Sequence, residues 1–178
     1  SIDEVAGLLE RRDGVDATTA ARAARQAQSH IGMAHRLATN AQARERRERT
    51  LGVALGIHSV SGAVNAASEL LELAKADAEA ITQERDSEER DAALRSLGID
   101  PGGTIPPALR SQLKNLEEDQ KRRATRSLRD GIDRIMVDLL SLYRDILLFQ
   151  LGVAGEPINL DIFPRVEEAA TLSDPEGL

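Results

Sequence analysis

The side chains best suited to chemistry in this chain are three histidines, a glycine-rich segment and several clusters of charge. His30, His35 and His58 are the only histidines. A helical zinc site places two His at i and i+4 with acids in register, whereas His30 and His35 stand five apart and diverge around a helix. With no cysteine in the sequence, disulfides and thiolate zinc sites are excluded as well. The segment Gly98-Ile99-Asp100-Pro101-Gly102-Gly103-Thr104-Ile105 approaches a phosphate-cradling loop. It has Thr104 where the loop needs Lys, and Pro101 removes an amide donor, so nucleotide binding is not expected. No Gly-x-Ser-x-Gly elbow occurs, and the carboxylates show no pairing that would divide acid and base roles. The residues predict neither metal, cofactor, small-molecule substrate nor active site.

Three charged or helical patterns could instead meet a macromolecule. Arg44-Glu45-Arg46-Arg47-Glu48-Arg49 interleaves acids with bases and reads as a solvated helix face. Glu117 with Lys121, Glu118 with Arg122 and Asp119 with Arg123 are i,i+4 pairs in the favourable order, which again predicts a solvated face. Thr18 to Ala38, with alanines on one helix, Ser29 at a turn and a second helix through Ile31 and Leu37, imitates a helix-turn-helix. Its second helix would offer only His30, His35 and Arg36 as polar readers of DNA.

The elements that carry these residues are helical. Hydrophobic residues make up 41% of the 178, charged residues 30% and aromatics only 2%, with Ala, Leu, Arg and Glu abundant, a balance that predicts an all-α fold. Four short helices are expected in residues 1–50: one stopped at Asp13-Gly14, one capped by Asp16, one capped by Ser29 and one capped by Asn40. Residues 51–58, Gly-rich and without a clean period, read as a linker. Ser59 caps a long helix whose Val60, Val64, Ala67, Leu71, Ala74, Ala78 and Ile81 form a heptad stripe. The polar run Thr82 to Asp91 then predicts a helix that projects into solvent or frays. Gly98 to Pro107 reads as a loop, Asp161 as the cap of a last short helix, and residues 173–178 as a disordered tail.

Between these elements lies Arg126 to Gly152, the only long stretch whose apolar residues cover half a helix. Leu128, Ile132, Ile135, Leu139, Leu142 and Ile146 recur at threes and fours, and Met136, Leu140, Tyr143 and Leu147 widen the stripe. Arg134, Asp138, Ser141 and Asp145 gather on the opposite side as one polar line. Whether the helix bends at Gly131 stays open. So broad an apolar arc predicts neighbours on two sides.

Charge is uneven along the chain. Residues 1–50 hold nine Arg against seven acids, and the other 128 residues hold 14 Lys or Arg against 23 acids, within an overall −7. An acidic chain without a basic, aromatic-studded face is a poor autonomous nucleic-acid binder. No apolar run nears the ~20 residues of a membrane span and no secretion signal opens the chain, so a soluble, cytoplasmic protein is expected.

Lys121-Arg122-Arg123-Ala124-Thr125-Arg126 followed by Val137-Asp138-Leu139-Leu140-Ser141-Leu142-Tyr143-Arg144-Asp145-Ile146-Leu147 resembles the C-terminal helical domain of the delta prime subunit of bacterial DNA polymerase III, a clamp-loader subunit. Ile158-Asn159-Leu160-Asp161 closes that match. Val5 to Arg47, through Arg11-Arg12-Asp13-Gly14-Val15-Asp16, Ala23-Ala24, Ser29-His30-Ile31-Gly32 and Arg36-Leu37-Ala38, is similar to the helical lid that follows the nucleotide-binding core of AAA+ loader subunits.

The resemblance implies a lid over 1–50 and an oligomerisation collar over 59–172, without the AAA+ core. Ser29 and Gly32 stand where ATP-hydrolysing subunits carry the Gly and Arg of a sensor motif. That departure implies a non-hydrolysing scaffold and argues against the alternative of a gamma or tau fragment. The implied role is to hold gamma or tau and delta subunits in register, with the sliding clamp and primed DNA reached only through the assembled complex. Interface residues are expected among Arg134, Asp138, Tyr143, Arg144 and Phe149. The competing expectation is a helix-turn-helix regulator, whose DNA binding would fall steeply with salt.

Overall fold

The structure, a computed structural model, describes residues 1–96 and 110–172, the side chains of Glu84, Arg85 and Gln112 excepted. The expected loop at 98–107 and the expected tail at 173–178 lie outside the described residues. The fold is all-α: seven helices, one short 3-10 turn over Leu160–Ile162, and no strand among the described residues. Two compact units divide the chain, one of Ser1–Ala66 with Met136–Leu178 and one of Ala67–Ile135.

In the first unit, α1 (Ile2–Asp13) starts where Ser1 Oγ accepts the Glu4 amide and stops at Gly14, whose φ of 66° suits a residue without Cβ. Helix α2 (Ala17–Gln26) is capped by Asp16, which accepts the Thr19 amide at 2.9 Å. The following turn places Gln28 and Ser29 at φ 48° and 67° and closes with the Ser29 amide on the Ala24 carbonyl. Ser29 is thereby kept from capping α3 (Ile31–Thr39), and His30 does so, its Nδ1 accepting from the Met33 amide. Asn40 caps α4 (Ala41–Leu55) through the Ala43 amide. Leu9, Ala20, Ala24, Ala34 and Leu37 form the core of this bundle. Its mostly methyl-sized side chains let short helices approach closely.

Helix α4 continues through the first half of the expected linker. Leu51 and Ala54 are buried with Leu142, Ile146, Val166 and Ala170 in a second core, so the junction contracts to the residues between Leu55 and Val60. Helix α5 (Val60–Ser96) begins where Ser59 Oγ accepts the Gly62 amide. Helix α6 (Arg110–Gln150) runs unbroken through Gly131 and ends at Gly152, φ 61°, with the Val153 amide on the Leu148 carbonyl. The 3-10 turn leads into α7 (Phe163–Leu172). Asp161 caps nothing; its carboxylate accepts from Gln26 Nε2, and Glu156 pairs with Arg25, which fastens the segment after α6 to α2.

The second unit pairs α5 with α6 on a face that keeps Ala74 and Ala78 of the expected stripe and is shifted away from Leu71 and Ile81. Leu73, Ala74, Asp77, Ala78, Thr82 and Leu94 are its buried α5 residues among those described, whereas Leu71 and Ile81 of the heptad stripe stay exposed. Val60 and Val64, at the start of that stripe, belong to the first unit and are exposed too. Gly131 decides the register in the second unit, since a Cβ there would stand 3.1 Å from the Ala74 carbonyl oxygen. Arg134 then reaches Asp77 at 2.7 Å. The polar run after Ile81 neither frays nor projects. It stays helical, with Arg123 bonded twice to Glu89 and Gln120 Nε2 donating to the Asp86 carbonyl. Arg123 and Glu117 thus find partners across the pair, Glu117 with Arg90, instead of within their own helix.

Candidate protein-interaction surface

The central part of the first unit is built on buried charge. Arg47, set on α4 in line with Ala43, Leu51 and Ala54, is 5% exposed. Its Nε donates to Asp138 at 3.0 Å and its Nη2 to Asn159 Oδ1 at 2.6 Å. Asn159 is fully buried and returns the link to α6, donating its Nδ2 to Asp145 at 2.9 Å and to Ser141 Oγ at 3.3 Å. Asp145, itself 3% exposed, also accepts the backbone amides of Ile158 and Asn159 and one Arg144 N–H. The carboxylate therefore has four donors, and both ends of the Asn159 amide are used. Removing one partner from such a buried charged set typically costs about 3–5 kcal/mol, because the group left behind has lost water as well.

This network turns α6 part-way from its expected orientation. Ser141 and Asp145 are buried and Asp138 largely so, although the sequence sets them in a polar line opposite the apolar arc. The apolar arc is divided instead. Leu142 and Ile146 enter the second core, while Met136, Val137, Leu140, Tyr143 and Leu147 remain on the surface, Leu140 with 66% of its area exposed. Met136, Leu140, Tyr143 and Leu147 follow one another at four, three and four, a single row roughly 16 Å long at 1.5 Å per residue. A row of this size left in water forgoes roughly 1.5–3 kcal/mol for each side chain that burial would cover fully.

Beside Tyr143 the row meets a groove of about 680 Å³, floored by Ala54, Leu142 and Ile146 and rimmed by Ile57, His58, Arg165, Glu168 and Leu172. Apolar surface with sparse charge at its rim is the make-up of a protein-binding face. Tyr143 lies on both features. Phe149, also exposed, stands edge-to-face with Phe163 at 6.1 Å between ring centres. Arg144 is part exposed and bonds Asp145. Of the other expected interface residues, Asp138 is engaged by Arg47, and Arg134, in the second unit, by Asp77.

Among the candidates for other chemistry, His35 Nδ1 lies 2.8 Å from Asp13, and His30 is the α3 cap. The Arg12 guanidinium, with help from His35, lowers Asp13 to about 2. Arg44, expected to be solvated, donates to the Leu37 and Ala38 carbonyls at the end of α3. The segment 98–105 lies outside the described residues. Among the described residues no cluster of three potential metal ligands occurs, and no helix is long and apolar enough to cross a membrane.

Arg47, expected on a solvated helix face, is buried instead, and the sequence reading did not foresee its link to Asn159. Arg47 could have been found from its place among Ala43, Leu51 and Ala54 at intervals of four, four and three, a spacing that puts it on the packed side of α4. Comparison with protein-family models, curated proteins and solved structures finds no match to the chain.

Proposed function

We propose that this chain is a non-catalytic scaffold part of the clamp-loader complex of bacterial DNA polymerase III, similar to the lid and collar of the delta prime subunit. In this reading it holds gamma or tau and delta subunits together while the assembled complex opens the sliding clamp and sets it on primed DNA. The supporting observation is that α6 keeps Met136, Leu140, Tyr143 and Leu147 on its surface. These residues fall inside or beside the block that resembles the collar helix of that family. A neighbouring subunit that covered them would regain the apolar stabilisation that the isolated chain forgoes.

Gly32, at the position of the sensor arginine in ATP-hydrolysing relatives, supports the delta prime reading over a gamma or tau fragment, because glycine offers a phosphate no side chain. The test is co-purification with purified gamma or tau and delta subunits, set beside a gel shift over a salt series. Association together with weak DNA binding is expected. No association, together with sequence-preferring DNA binding that falls steeply with salt, would replace this reading with the helix-turn-helix regulator.

A further inference from the structure

We infer that the Arg47, Asp138, Asp145 and Asn159 network is a rotational lock, which sets α6 about its own axis so that its polar row faces the core and its apolar row is displayed. The two rows, Asp138-Ser141-Asp145 and Met136-Leu140-Tyr143-Leu147, are centred roughly 160° apart at 100° per residue. Leu142 and Ile146 lie between them and are buried in the second core. A turn of α6 by about a quarter circle would keep Ile146 covered, bring Leu140 and Tyr143 inward and release Asp138 and Asp145 to water. Hydrophobicity alone favours that setting.

What opposes it stands on the other side of the contact. Arg47 and Asn159 are buried side chains of α4 and of the segment after α6, and the Ile158 and Asn159 amides end on Asp145. Turning the helix would take from the Arg47 guanidinium its carboxylate partner, leaving it only Asn159 Oδ1, and would leave the Asn159 side-chain N–H and two backbone N–H groups in the core without acceptors. Buried polar groups of this kind specify one register at the expense of a greasier alternative. The lock gives a reason for the row to be held outward, and that purpose rests on the assembly reading above; the lock itself is an intramolecular device.

The absence of cysteine makes the setting of α6 directly measurable. Single reporters Leu140→Cys, on the displayed row, and Ser141→Cys, on the buried one, are introduced separately and their thiol labelling rates compared. In the intact network Cys at 140 is expected to label at least tenfold faster than Cys at 141. In an Arg47→Leu/Asn159→Leu background the ratio is expected to fall at least tenfold or to reverse, with the helical circular dichroism retained. An unchanged ratio in that background would overturn the lock, since the other contacts of α6 would then set the helix. Should the double substitution lose its helical signal, Asn159→Ser takes its place: a fall in the ratio supports the lock and an unchanged ratio overturns it. No loader subunit enters the assay, so its outcome is independent of the co-purification.

Discussion

Asn159 presents its backbone N–H and its side-chain Nδ2 to one oxygen of Asp145, at 2.8 and 2.9 Å, in a site closed to solvent. Two donors from one residue converge on a carboxylate of a different element, so the segment after α6 can seat in one register only. Asn159→Ala is expected to destabilise the first unit by about 2–4 kcal/mol, with part of the cost in the unpaired Asp145 and Arg47 left behind. Urea denaturation checks this as a lower midpoint at an unchanged slope. A loss under 1 kcal/mol would mean that water replaces Asn159 freely.

Gly131 is tested in the same way. A Cβ at this position would press on the backbone oxygen of Ala74, which cannot move aside as a flexible side chain would. Gly131→Val is therefore expected to cost about 1–3 kcal/mol through forced separation of α5 and α6. Gly14→Ala, where nothing crowds the Cβ but φ is 66°, would cost about 1 kcal/mol through backbone strain alone.

The Asp13 pair makes a pH prediction. Its folded value, lowered to about 2 by Arg12 first and His35 second, lies below the ordinary 3.8. A depressed carboxyl contributes stability that is present above the unfolded value and is lost as pH falls through the folded one. Between about pH 4 and pH 2 the contact of α1 with α3 is thus expected to weaken, read by an NMR titration of the Asp13 carboxyl carbon and by the thermal midpoint. Asp13→Asn should flatten that part of the midpoint's acid dependence.

Much of the fold is legible in the sequence because much of it is local. Asp16 and Asn40 cap, and Gly14 stops a helix, through bonds made within four residues, and the sequence places all three correctly. The Ser29 cap fails for a reason just as local: the turn draws Ser29 to positive φ, and His30 takes over. The orientation of α6 was not legible. Its polar row looks solvent-facing when the helix is taken alone, and becomes a packing face through Arg47, 91 residues from Asp138, and Asn159, beyond the end of the helix. The Val60 to Ile81 stripe is legible in part: Ala74 and Ala78 are buried and Gly131 packs on Ala74, while the pair of Asp77 with Arg134 turns the buried face away from Leu71 and Ile81. Of the expected interface residues, Tyr143 and Phe149 are exposed, and the partners of Arg134 and Asp138 were not legible in the sequence.

The displayed row is tested most directly by Leu140→Asp, compared with the unaltered chain in sedimentation velocity with purified gamma or tau and delta subunits. Leu140 is mostly exposed, so the substitution is expected to change the melting temperature little while weakening association at least tenfold, about 1.4 kcal/mol or more. Equal association by the two chains, each with its native melting curve, would contradict the assignment of this row to subunit assembly.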